Sequence, residues 1–218
     1  MCRPTPLNGV NRIMAETGPV QLLLASASPS RRKLLEAAGV RFRVVATNVD
    51  ETALKRGLAA QGLANSPAAV AEAVAAAKAR GASLPLGASL VVGADQILAL
   101  GDELFDKPGD LVTARAQLER LRGRVHQLFS AVALARDGEV VWSMVDRATL
   151  AMRNFSDAFL DAYLAEAGPG LCQIVGSYEI EGRGIQLFQR VEGDHFTIIG
   201  LPLMPLLHEL RARRAIPT

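Results

Sequence analysis

Between residues 26 and 32 the chain sets Ser26, Ser28, Pro29, Arg31 and Arg32 directly after the apolar run LLLA at 22–25. The run predicts a buried strand, and the proline predicts the first turn of a helix. A strand feeding a helix start offers free backbone N–H groups and the positive end of the helix dipole, to which hydroxyls and guanidiniums add directed donors. That combination suits a phosphate. The plainer alternative has Ser28 capping the helix and both arginines facing solvent, and the pattern alone leaves the two open. No Gly-Lys-Ser/Thr follows, so the segment is not a P-loop.

Asp95 closes the apolar run SLVVGAD at 89–95, with the acidic pair Asp50 and Glu51 upstream. A carboxylate at a strand end sits where α/β sheets place ligands, and there it could activate water or hold a divalent cation; a turn or cap residue is the alternative. Lys107 precedes Pro108, which restricts it to extended backbone, so a stiff loop could aim its ammonium at a phosphate. Lys78, on an alanine-rich stretch, reads as a snorkelling side chain or as a second phosphate contact. In GSYEIEGRG at 176–184 the glycines permit close backbone approach and Glu181 projects from the bend, which fits a base-reading loop or an ordinary turn. His126, His195 and His208 share no spacing and read as structural or surface groups, and Tyr178 and Trp142 read as packing.

The elements that must position these residues alternate early and then form hairpins. Strands are predicted at 21–26, 41–47 and 89–95, the last continuing as QILAL to a turn at Gly101 and Asp102. Helices are predicted at 29–38, 67–81, 111–122, 157–168 and 202–214, the second capped by Ser66. The segments 125–136 and 139–152 read as long strands joined at an Asp-Gly turn, and 185–193 as a further strand. The order implies an α/β domain with a mixed sheet and a cleft between two lobes.

The chain has 218 residues, half of them hydrophobic, enough for one sizeable core. With 24 basic against 22 acidic side chains, neither a nucleic-acid polymer nor a membrane surface is expected as a partner. Cys2 and Cys172 lack metal-ligand spacing, and the stretch 58–79 is too interrupted by polar residues to span a membrane. Residues 1–18 lack the apolar stretch of a signal peptide and read as a loose extension to a single domain over 19–218, with Met14 as an alternative start. The expected compartment is the cytoplasm.

In combination and in order, LASASPSRRKLL (24–35), VDE (49–51), AAAKA (75–79), VVGADQ (91–96), DKP (106–108), LRGRVHQLFSAVAL (121–134), GSYEIEGRG (176–184) and VEGDHFTIIGLPL (191–203) resemble the Maf-like nucleotide pyrophosphatases. The resemblance implies a Maf/inosine-triphosphatase-like α/β fold, an elongated mixed sheet with flanking helices, and often a homodimer. It implies hydrolysis of a nucleoside triphosphate to monophosphate and pyrophosphate with a divalent metal, Mg2+ or Mn2+. By position, Asp95 matches the proton acceptor, Ser26, Ser28, Arg31, Arg32, Lys78 and Lys107 the phosphate-binding set, and Glu51 with Asp95 the metal positions. Ser30, Gln96 and Glu181 fall where subgroups differ, and the latter two resemble the subgroup acting on 7-methyl-GTP rather than the one acting on dTTP and UTP. Ser30 and the loop DKP, in place of Gly-Lys-Pro, depart from that pattern. A nucleotide-binding regulator of septum formation without turnover is the non-enzymatic alternative.

Overall fold

The computed structural model describes residues 20–63, 66–83 and 89–218. The extension predicted for 1–18 lies outside the described residues. In chain order the elements are β1 (Leu22–Ala25), α1 (Pro29–Ala37), β2 (Arg43–Val44), α2 (Glu51–Ala60), α3 (Pro67–Ser83), β3 (Leu90–Leu100), β4 (Glu103–Phe105) and α4 (Leu111–Leu121). There follow β5 (Val125–Arg136), β6 (Glu139–Met152), α5 (Asp157–Ala167), β7 (Phe188–Glu192), α6 (His195–Ile199) and α7 (Leu203–Ala212). One seven-stranded sheet runs β2-β1-β3-β5-β6-β7, with β4 paired to β3. β2, β1 and β3 are parallel and the remaining pairs antiparallel, so the sheet is mixed as predicted.

The long strands β3, β5 and β6 thread two apolar cores. Leu98 and Leu128 belong to one, with Leu118, Phe155 and Leu160 from α4, the segment before α5 and α5; Val92 and Leu134 belong to the other, with Leu35, Leu206 and Leu210 from α1 and α7. These two cores are the physical content of the two lobes. A third cluster lies under α3, where Ala71, Ala75 and Ala79 meet Ala131 and Ala133 of β5.

The alanine-rich face of α3 lets that helix approach β3 very closely. A Cβ added at Gly93 would stand 2.2 Å from the carbonyl oxygen of Ala75 and 2.6 Å from the amide nitrogen of Ala79. Backbone on both sides cannot give way as a flexible side chain would, so α3 must shift. Gly93→Ala is therefore expected to destabilise the fold by about 1–3 kcal/mol, readable as a lower urea midpoint with an unchanged slope.

Four elements differ from the sequence-based reading. β2 is two residues long rather than seven, although Val45 still donates its N–H to the carbonyl of Leu24. The helices α2 and α6 are additional: each is started by an aspartate, Asp50 accepting from Ala53 N and Asp194 from Thr197 N, both at 2.9 Å. The strand expected at 185–193 covers only 188–192, because Arg183–Leu187 winds into a 3-10 turn.

Candidate active site

β3 does not end at Asp95. It continues to Leu100, and the interruption lies in its neighbours instead. β5 covers one edge of β3 from Val91 to Ala99, while β1 covers the other edge only to Gly93 and β4 only from Leu98. Positions 94–97 therefore face a gap in the sheet. Because side chains alternate along a strand, Gly93 and Asp95 turn toward α3, and Ala94 and Gln96 toward the opposite face.

On the α3 face, Lys78 Nζ lies 2.8 Å from Asp95 Oδ1 and 2.9 Å from Glu51 Oε1. The close packing at Gly93 is what brings Lys78 within reach. Glu51 is the first residue of α2 and remains 45 % exposed, whereas the side chains of Lys78 and Asp95 each retain only 12 % exposure. An ammonium shared by two carboxylates in partial burial is a charge-assisted arrangement that holds all three side chains in register.

Arg31 bridges the gap itself. It is buried, and its Nε donates to the carbonyl of Gly200 at 2.8 Å while Nη1 donates to the carbonyl of Ala94 at 2.8 Å and to Ser26 Oγ at 3.2 Å. The guanidinium thus gives the Ala94 carbonyl a donor where no neighbouring strand supplies one. Burial pulls its pKa below the ordinary arginine value, against the carboxylates of Asp95 and Glu51, which act in the opposite sense. Nη2 has no protein partner among the described residues, so one face of the fork stays available to a ligand oxygen.

The other sequence-predicted positions are less tightly gathered. Ser28 occupies the N-cap of α1 without a side-chain capping bond, and its N–H donates to Ser26 Oγ at 3.3 Å. Arg32 is exposed and pairs with Glu36 at 3.5 Å. Lys107 is exposed on the loop before α4; its neighbour Asp106 accepts from Lys55 Nζ at 2.5 Å, tying that loop to α2 and hence to the helix that carries Glu51.

Ser30, Gln96 and Glu181 all line one cavity, together with Tyr178, Glu179 and Ile198. Three positions separated by as much as 151 places in the sequence thus converge. The segment that carries Glu181 is compact: Gly176 has φ of +78°, and a Cβ there would stand 2.6 Å from both Leu98 Cδ1 and Tyr178 Cε1. Tyr178, read from sequence as packing, is indeed buried, but its hydroxyl also meets His126 Nε2 at 2.8 Å beneath the cavity.

His126 is 1 % exposed, and desolvation pushes its pKa down to about 4 from the ordinary 6.5. In the unfolded chain the imidazole takes a proton near its ordinary value, so between pH 6.5 and 4 the unfolded state binds more protons. Stability is full above pH 6.5 and is lost as pH falls toward 4, by about 2–3 kcal/mol at pH 4.5. Urea unfolding at pH 7 and 4.5 checks this: His126→Asn is expected to be less stable at pH 7 yet to lose distinctly less on acidification.

The sequence reading did not single out Ser130, Thr197 or Glu179. Ser130 and Thr197 lie inside the motif stretches 121–134 and 191–203, but nothing in their types marked them as more than strand and helix residues.

The sheet gap, with a carboxylate–ammonium cluster on one face and a cavity lined by polar and apolar side chains on the other, defines an α/β protein with a candidate ligand site where its strand pairing is interrupted. The family profile described as Maf-like protein matches residues 21–213. The chain belongs to that family. It is 50 % identical over 190 residues to a nucleoside triphosphate pyrophosphatase of Rhodospirillum rubrum, covering 87 % of this chain and 93 % of that one. It is 45 % identical over 197 residues to a 7-methyl-GTP pyrophosphatase of Brucella abortus, covering 90 % and 98 %. A solved nucleoside-triphosphatase, a dITP/XTP pyrophosphatase of Mycobacterium abscessus, aligns with 70 % of this chain and 100 % of that one at a TM-score of 0.37 and 19 % identity, a distant likeness. Among the described residues, no helix is long and apolar enough to cross a membrane.

Proposed function

We propose that the protein hydrolyses a nucleoside triphosphate between its α and β phosphates, releasing a nucleoside monophosphate and pyrophosphate, with a 7-methylguanine-type base preferred. The observation that carries this reading is the Asp95–Lys78–Glu51 cluster at a gap in the sheet whose opposite face leads to the cavity holding Ser30, Gln96 and Glu181. The triphosphate lies along the gap and the base enters the cavity. Glu179 and Glu181 place negative charge at the cavity wall, where a base made cationic by methylation gains from it.

In this reaction the phosphate oxygens carry several negative charges that must be neutralised before a nucleophile can approach. Lys78, the free Nη2 of Arg31, Arg32 and Lys107 supply cations, and Ser26 and Ser28 supply hydroxyls at the start of α1. Asp95 accepts the proton of the attacking water. The water oxygen bonds to phosphorus as the bridging bond breaks, and pyrophosphate leaves with the electron pair.

Glu51 and Asp95 fit a hard divalent cation such as Mg2+ or Mn2+. Mg2+ is ordinarily held by one or two carboxylates plus substrate phosphates and water. Among the described residues no group of three or more His, Cys, Asp or Glu side chains converges, so the protein would contribute these two carboxylates and the substrate and water the remaining donors. Each carboxylate has lone pairs left beyond the one it gives to Lys78. When bound, the cation would neutralise charge on non-bridging oxygens and lower the pKa of coordinated water.

A panel of unmodified and 7-methylated triphosphates, with Mg2+ or Mn2+ supplied or omitted, tests substrate, products and cofactor together. The expected result is one pyrophosphate per monophosphate, no orthophosphate, fastest turnover with 7-methyl-GTP over dTTP and UTP, and loss of turnover with chelator. Orthophosphate as the first product would mark a different phosphohydrolase, and tight binding without turnover would mark a nucleotide sensor.

A further inference from the structure

The cavity wall has a fixed hydrogen-bonding polarity that phosphate chemistry does not require. Gln96 Nε2 lies 2.9 Å from Ser130 Oγ, 3.1 Å from the carbonyl oxygen of Thr197 and 3.0 Å from that of Ile198. The two carbonyls can only accept. Ser130 donates its own hydroxyl proton to the Thr197 carbonyl at 2.7 Å, which leaves only lone pairs facing Gln96. With three acceptors on one side, the amide must turn its NH2 group toward them and its oxygen away.

Thr197, one of the acceptors, is itself anchored. Thr197 donates its hydroxyl to Asp146 Oδ2 at 2.7 Å and its N–H to Asp194 Oδ1 at 2.9 Å. Ser130 and Thr197 are both fully buried, so rotating the amide would leave a polar atom against an unmatched partner with no solvent to relieve it.

We propose that Ser130 is a positioning residue for base selection: with the carbonyls of Thr197 and Ile198 it engages the NH2 group of Gln96, which lines the cavity, so that the amide has only its oxygen left to offer a ligand and this wall reads N–H donors on the ligand ring. The inference rests on the nucleotide reading above and adds which ring edge is chosen. Alongside the carboxylates of Glu179 and Glu181, Gln96 makes the wall acceptor-rich. The edge that matches carries adjacent donors, a ring N–H beside an exocyclic amino group, as in guanine. Hypoxanthine lacks the amino group, adenine offers a ring acceptor beside its amino group, and uracil flanks its single N–H with two carbonyls.

The test pairs a deletion on the ligand with a deletion on the protein. Calorimetric affinities for 7-methylguanosine and 7-methylinosine monophosphates are measured beside kcat and KM for the matching triphosphates. The wild type is expected to favour guanine over hypoxanthine by about tenfold, the worth of one well-placed hydrogen bond. Ser130→Ala and Gln96→Met are each expected to bring that ratio to within about twofold, with the change falling on KM, and Ser130→Thr, which keeps the hydroxyl, to restore it. A ratio unchanged in Ser130→Ala, a wild type that does not separate the two bases, or an equal fall for both ligands overturns the inference, the last because a merely structural role would act on both alike. If the wild type hydrolyses neither triphosphate, the enzymatic reading fails, while the affinity ratios still decide this inference.

Discussion

Asp95→Asn is expected to lower kcat by about 10²–10⁴-fold, the usual contribution of a positioned general base, while nucleotide affinity stays within a few-fold. The asymmetry follows from the cluster. Lys78 remains 2.9 Å from Glu51 when the Asp95 carboxylate becomes an amide, so the ammonium is still held at the gap and the cationic cradle for the phosphates survives. What disappears is the group that takes the proton from water. Pyrophosphate release under saturating substrate, with calorimetry on a non-hydrolysable triphosphate, separates the two effects. Normal turnover would remove Asp95 from the chemistry, and a parallel collapse of affinity would assign it to binding alone.

Arg31→Lys is expected to lower the melting temperature by about 10 °C, an effect that a purely phosphate-binding arginine would not produce. Arg31 donates to two backbone carbonyls and one hydroxyl from three separate segments, and its side chain is buried. An ammonium cannot reproduce the planar fork, so at least one buried acceptor loses its donor at about 1–3 kcal/mol and the displaced charge adds to the loss. A total near 3–5 kcal/mol, at about 2–4 °C per kcal/mol for a chain of this size, gives the expected shift. Scanning calorimetry with and without nucleotide checks it. An unchanged melting temperature with a raised KM would restore Arg31 to phosphate binding alone.

The motif residues differ in how much of their role was legible. Residue type and order marked Asp95, Lys78 and Glu51 as candidates while leaving structural roles open, and the structure brings Lys78 within 2.9 Å of both carboxylates. The strand pair 125–136 and 139–152 was legible because the Asp-Gly turn that joins the two runs is a local signal. Helix α2 was not: Asp50 and Glu51 invite a reading as ligands, and the capping role of Asp50 shows only when Ala53 N meets it. Likewise Arg31 carries no mark distinguishing it from Arg32, yet one is buried across the sheet gap and the other exposed beside Glu36.

By itself the sequence determined which side chains could neutralise, activate or read a ligand, and which short segments would be strand or helix, because those properties depend on residue type and on neighbours a few places away. Only the tertiary structure decided that β1 stops at Ala25 and β4 at Phe105, leaving β3 open over residues 94–97. It also decided that the adjacent residues Asp95 and Gln96 serve opposite faces of that opening. Strand ends are fixed by pairing between segments some 70 places apart, and alternation then assigns each side chain its face; neither the partner's end point nor the gap it leaves is written in any local stretch of the chain.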